Sequence, residues 1–271
     1  MAISADTLVS LSDFKVYAGI TTAADDVILQ QTIDRASIAA QTYCGRKFVQ
    51  QDYIEIRDTT GQARLALRQS PVSVVRFVGV GWDSVLSINS TVASDAFVSV
   101  AMNGQHLHLY RIASNGGATQ TTISLANNDV TTELAAAINN HTGFLAATLL
   151  NVPTEYIRKL VGRDLKNSTA YLEAPTDSFT DYIADLDAGI IHGRGLDLPR
   201  SMLIDYTAGY EEVPLDVQQA VMMIAQRIYH GRKRDFGVQS ESLGGYSYSL
   251  RAAAEIDGEA RALLDGYRRL R

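Results

Sequence analysis

A chain of 271 residues, 46% of them hydrophobic, is long enough to bury a substantial core and too apolar to be a disordered tail. Its formal charge of −6, from 30 acidic and 24 basic residues, disfavours a protein built to grip a nucleic acid backbone, which needs a concentrated basic face. The single cysteine, Cys44, excludes an intrachain disulfide framework and a multi-cysteine zinc site. The longest apolar runs, such as Leu145 to Leu150, fall far short of the roughly 18 residues of a membrane span. The first twelve residues carry Asp6 and neither Lys nor Arg, so no secretion signal is expected and synthesis in the cytoplasm is.

Ser10 and Asp13 are spaced as a variant capping box, and Gly19 can close the short helix between them. A second helix of about 20 residues follows, with Thr22 and Asp25 as capping candidates. Its apolar stripe of Ile28, Ile33, Ala36, Ala40 and Tyr43 runs to Gly45. From Tyr53 the period changes to two. Leu65 and Leu67 share a face, Val72 to Val78 forms an apolar run, and Pro71 fits a turn or an edge. Asn103-Gly104 between alternating stretches predicts a hairpin, and Thr119 to Leu125 predicts a further strand. Val130 to Ile138 reads as a helix capped by a nearby Asp or Thr. Residues 143–196 mix short apolar groups with Gly, Pro and Asp and read as short strands and loops. Ser201 to Tyr210 is a strand ending in a glycine turn. Pro214 starts a helix at its first position, and this helix should end near Gly231. Residues 239–249 have the composition of a surface loop or mobile arm, with Ser240, Glu241, Gly244, Gly245, Tyr246 and Tyr248 as the candidate arm residues.

Candidate chemistry is sparse. His106 and His108 alternate around Leu107 and share a strand face, but two ligands do not define a metal site. Cys44 sits near a helix C-terminus, where the dipole disfavours a thiolate, and is expected to be buried and inert. The glycines at 116–117 and 193–195 lack nucleotide-binding spacing, and Asp181, Asp185 and Asp187 lack the full pattern of a calcium loop. No cofactor is expected. Arg232, Lys233 and Arg234 are the densest basic patch, readable as a partner contact, a DNA contact or a solvated helix end. At the C-terminus Ile256, Ala260, Leu263, Leu264 and Tyr267 recur at helical spacing among Arg268, Arg269, Arg271 and several acids. That helix is read either as a docking device or as packed on its own domain.

Several stretches resemble the head-tail connector (adaptor, head completion) proteins of tailed bacteriophages. They are Leu11 to Ile20, Asp25-Asp26, Ala36-Ser37, Tyr43 to Arg46 and Pro71 to Val75 near the start. Near the end they are Tyr206 to Tyr210, Val213 to Asp216, Ala220, Tyr229, Arg232, Arg234 and Glu241 to Ser247. The resemblance implies a helical bundle with a small β-sheet; the region from about 82 to 197 departs from it and reads as an inserted strand-rich module, so the expected fold class is α+β with a C-terminal docking helix. Residues 1–81 and 198–250 would then be the connector core, 82–197 the insert and 251–271 the docking helix. It further implies a non-catalytic protein in a ring of about twelve copies at the virion neck, assembled in the host cytoplasm. Its partners would be the portal protein, a downstream neck or tail protein, and double-stranded DNA passing without sequence-specific recognition, with no membrane. The alternatives are another neck, baseplate or tail-completion component, and more distantly a metal-dependent enzyme or carbohydrate-binding module.

Overall fold

In the computed structural model the described residues are 6–59, 63–103, 105–161, 165–166, 168–193, 196, 201–232, 240–243, 246–249, 256 and 258–269. The Ser10 hydroxyl accepts the Asp13 amide at 3.1 Å, so α1 (Leu11–Ala18) starts where the capping pattern places it. It closes on Gly19, whose φ of 67° lies in the left-handed region. α2 (Asp26–Cys44) closes in the same way on Gly45. Asp25 stands at the N-cap of α2 but makes no side-chain cap bond there, because its carboxylate is engaged across the helical layer.

The period-two region forms β1 (Gln51–Asp58), β2 (Arg64–Ala66) and β3 (Val72–Ser90), the last a 19-residue strand that runs unbroken through Trp82. β4 (Phe97–Asn103) and β5 (His106–Ile112) form the hairpin predicted from Asn103-Gly104, and β6 (Ala118–Ser124) adds to it. α3 (Thr131–Asn139) has Val130 at its N-cap and no side-chain cap there; instead Glu133 reaches back to accept the Asp129 amide at 2.8 Å. β7 (Phe144–Thr148), β8 (Lys159–Val161), β9 (Ala170–Ser178), β10 (Tyr182–Asp185) and β11 (Ile190–Gly193) follow. β12 (Ser201–Ala208) leads through Gly209 to α4 (Leu215–Gly231). The chain ends with β13 (Ser240–Leu243), β14 (Tyr246–Ser249) and α5 (Gly258–Asp265).

The organising element is a sheet rather than a helical bundle. β3 is its spine: it pairs with β12 over Val72–Gly79, with β9 over Gly79–Ile88, and with β7 over Leu86–Ser90. Where Leu86 to Ile88 pair with both β9 and β7, those strands occupy opposite edges of β3. The resulting six-stranded sheet runs β1-β12-β3-β9-β8 with β7 beside β3, every pairing antiparallel. Fourteen strands against five α-helices among the described residues overturn the expected helical bundle with a small sheet. That expectation weighted the terminal helices. The long-range pairings that join residues 51–58, 72–90, 144–178 and 201–208 leave no local mark beyond short strand signals.

Three cores stabilise this arrangement. One is helical, in which Phe14, Leu29, Ile33, Ala36, Ala40, Val217, Val221, Ala260 and Leu264 close on Phe48. The second lies on the face of β12 that carries Met202, Ile204, Tyr206 and Ala208, against Leu65 and Ile191 from the small β10-β11-β2 sheet and Leu67 just after β2. The third runs from Val85 to Ala174 in sequence and fills the space between β4, β5, α3, β7 and β9. Gly209 is required where strand turns towards helix: its φ is 111°, and a Cβ there would stand 2.6 Å from the Val49 carbonyl oxygen.

Candidate docking interface

The end of α4 is tied to the start of α2 by one carboxylate. Asp25 Oδ2 accepts from the Tyr229 hydroxyl at 2.6 Å and from Arg232 Nη2 at 2.7 Å. The Arg232 guanidinium also lies over the Tyr229 ring, 3.9 Å from its centre. The hydrogen bond to Asp25 raises the pKa of both the Tyr229 hydroxyl and Arg232, because it favours the protonated form of each. The Asp25 bridge thus gives Arg232 an internal role between two helices. Lys233 and Arg234 lie outside the described residues, as do Gly244, Gly245 and Arg271.

The C-terminal helix lies against its own domain. Ala260 and Leu264 are fully buried against α2 and α4, and Ile256, Leu263 and Tyr267 pack around them. The Tyr267 ring stands edge-on to Phe48 and Tyr210, with centroids 5.8 and 6.2 Å away. Tyr43 donates to Asp265 at 2.6 Å, which raises the pKa of its hydroxyl, and Arg261 and Arg268 flank its ring at 5.8 and 5.6 Å. Arg269 donates its backbone amide to the Cys44 carbonyl at 2.9 Å and its guanidinium to the carbonyls of Leu67 and Arg68. It satisfies a carbonyl left open at the end of α2 and fastens the chain terminus to the sheet. Arg261 and Arg268 are both exposed. Beneath this helix Cys44 is fully buried, its thiol 3.6 Å from the Leu264 carbonyl, and burial pushes its pKa up to about 11.

The arm residues form a hairpin. Ser240 and Glu241 lie on β13, Tyr246 and Tyr248 on β14, and the two strands pair with each other and with no further strand among the described residues.

An apolar stripe faces solvent on the helical layer: Val16 is 84% exposed, and Val27, Ile28 and Ile38 lie on the outward face of α2. Val16 and Val27 flank the Lys15–Asp26 ion pair of 2.7 Å that ties the two helices together. In the middle region Gln105, Leu125, Asp129, Glu155 and Arg158 line a pocket of about 320 Å³. His106 and His108 stack 6.4 Å apart, with His108 Nδ1 2.9 Å from the Thr122 hydroxyl oxygen. No group of three metal-ligating side chains occurs among the described residues. Asp185 accepts the Ala188 amide at 3.0 Å in a turn.

A polar network escaped the sequence reading. Asp205 is 3% exposed and accepts from Arg76 Nε at 2.9 Å, from Arg76 Nη2, and from the Tyr156 hydroxyl at 2.9 Å. Arg76 also donates to Asp52 and to the Thr207 hydroxyl, which in turn donates to Asp52 at 2.6 Å. Thr207 and Arg76 together hold the Asp52 carboxyl below the usual carboxylate range. Burial and the bond to Asp205 raise the pKa of the Tyr156 hydroxyl, and its ring stacks on Phe77 with centroids 5.1 Å apart. The network joins β1, β3, β12 and the short 3-10 turn Thr154–Tyr156, and so fastens the middle region to the sheet. Its one sequence signal is an acid inside the apolar run Met202-Leu-Ile-Asp205-Tyr.

Residues 7–139 and 146–270 match the family described as head completion protein. The match spans nearly the whole chain, and the chain belongs to that family of structural phage neck proteins that join head to tail. No curated protein matches it. Three solved structures align over 100% of this chain at 14% identity. They are the neck of an empty gene transfer agent particle computed with C6 symmetry (94% of that chain, TM-score 0.46), a native gene transfer agent virion (94%, 0.39) and a native neck computed with C12 symmetry (93%, 0.38). Those TM-scores are low, and the assignment rests on the family match alone.

Proposed function

We propose that this chain closes into a ring of about twelve copies at the virion neck, between the portal and the next neck or tail protein. It assembles there from the host cytoplasm without catalysing a reaction or taking a cofactor. The observation that carries this reading is the family match, which runs over residues 7–139 and 146–270 and so takes in the helical layer, the sheet and the middle region alike. The solvated stripe of Val16, Val27, Ile28 and Ile38 supplies an apolar surface for the adjacent copy, since exposed apolar patches of this kind mark contact sites. Residues 82–197, with a core of their own, form a lobe inserted into the connector core. The portal contact uses exposed Arg268 with Lys233 and Arg234, while Arg232 stays on Asp25. The apolar side of α5 reaches a portal cleft only by leaving α2 and α4. A net charge of −6 per copy, multiplied around a ring, lets double-stranded DNA pass without being held.

Native mass spectrometry of the protein alone and with its portal tests the reading. A twelve-copy complex on the portal is the expected result, and a monomer that never engages the portal overturns it. A six-copy ring favours a different neck component. The double substitution Val27→Asp with Ile38→Asp should abolish ring formation while leaving the monomer's melting temperature within about 4 °C, because both side chains are largely exposed.

A further inference from the structure

The middle region has two sheet faces turned to solvent, and they differ. On β4-β5-β6 the alternation is clean: Val98, Val100, Leu107 and Leu109 are buried, while Ser99, Asn103, His106 and Thr122 occupy the other face. At the end of the large sheet it fails. Val161, Tyr171, Ser87 and Ala147 stand side by side across β8, β9, β3 and β7, on the face opposite buried Leu172 and Ala146. Tyr171 is 36% exposed, Val161 41%, and Leu145, two residues before Ala147 on the same face, 51%. A solvated sheet carries polar side chains at such positions, so this face has the composition of a covered one. We infer that α2 of a neighbouring copy covers it, laying Val27, Ile28 and Ile38 across β7, β3, β9 and β8. The inference rests on the ring reading above and names the second half of its contact.

Symmetry, size and charge select this occupant. In a ring of more than two copies every contact is heterologous, so the helical stripe cannot meet its own counterpart and each chain needs a second, different apolar surface. The outer face of β7-β3-β9-β8 is a surface of that character. Val27 and Ile38 return to one side of α2 about 16 Å apart along its axis, and the four strands span about 14 Å from β8 to β7. A helix laid on a sheet with its apolar stripe inward is a stable layer arrangement. Residues 82–197 carry 12 acidic and 6 basic side chains, and so hold the whole formal charge of −6. On α2 the acids are engaged, Asp26 by Lys15 at 2.7 Å and Asp34 by the Thr7 hydroxyl at 2.6 Å. That leaves exposed Arg35, one turn before Ile38, as the charge of α2 without an ion pair among the described residues. The contact brings this cation to the acidic region.

The test mixes two full-length variants of different mass. The V27D/I38D chain loses the stripe and keeps the sheet face; Ala147→Asp loses the sheet face and keeps the stripe. Each alone should form no ring by native mass spectrometry, with or without the portal. An equimolar mixture should give a one-to-one dimer, because one intact contact remains and both ends of the dimer are blocked. Both chains should melt within about 4 °C of wild type, since the substituted side chains are exposed. Leu145→Asp, on the same face, takes the place of Ala147→Asp if that chain fails to fold. Rings from the Ala147→Asp chain at wild-type yield overturn the inference and leave the ring reading standing. So does a mixture that stays monomeric, which gives the stripe another occupant. A wild-type chain that forms no ring, alone or on the portal, overturns both.

Discussion

Replacing Asp205 by alanine removes the carboxylate on which the Arg76 guanidinium and the Tyr156 hydroxyl converge. Breaking a fully buried ion pair from one side costs about 3–5 kcal/mol, and each lost hydrogen bond to a charge contributes about 1.5–3. The Arg76 side chain is 34% exposed and keeps Asp52 and Thr207, so the stranded cation is only partly desolvated. That places the expected loss near the lower end, about 3 kcal/mol. For a chain of this size each kcal/mol moves the melting midpoint by about 2–4 °C, so a drop of roughly 6–12 °C is expected. The assay is thermal unfolding of the monomer followed by circular dichroism. Asp52→Ala, at a side chain 68% exposed, should cost less than about 1 kcal/mol. The double substitution R76M/D205L should recover most of the loss, because an apolar pair leaves no buried charge without a partner. A D205A shift below about 2 °C, or a double variant as unstable as D205A, would refute the assignment of Asp205 as a buried junction.

Leu264→Ala should cost about 2–5 kcal/mol by opening a cavity beneath α5, and limited proteolysis should then cut near residue 257 before the rest of the chain. Gly209→Ala should lower stability by roughly 2 kcal/mol or more in denaturant titration, since it adds both a strained φ and a Cβ against the Val49 carbonyl. Cys44 should resist iodoacetamide at pH 8 in the native protein and react after unfolding. Its folded value of about 11 lies above its ordinary value of 9.0, so its contribution to stability is complete below pH 9 and is lost as pH rises towards 11. Comparing urea midpoints of wild type and Cys44→Ala across that range checks the sign.

The sequence by itself determined the elements whose cause is local. Ser10 and Gly19 bracket α1 because a cap hydroxyl and a left-handed glycine act within one turn. Gly45 ends α2 for the same reason, and β4 and β5 pair on either side of the position where Asn103-Gly104 predicts a hairpin. The burial of Cys44 and the amphipathic terminal helix were legible from polarity and period, as was the family resemblance in the outer segments. Tertiary structure alone decided which strands meet. β3 draws its partners from residues 144–148, 170–178 and 201–208, and pairing over such separations depends on chain closure that no short window encodes. It also decided the use of each charge. Asp25 looks like a cap in sequence, yet in the fold the approach of α4 gives it Tyr229 and Arg232 instead. Arg269 looked available to a partner until the end of α2 and the turn after β2 placed carbonyls within its reach. Side-chain type fixes what a group can bond, but only the packed chain brings the partner to it.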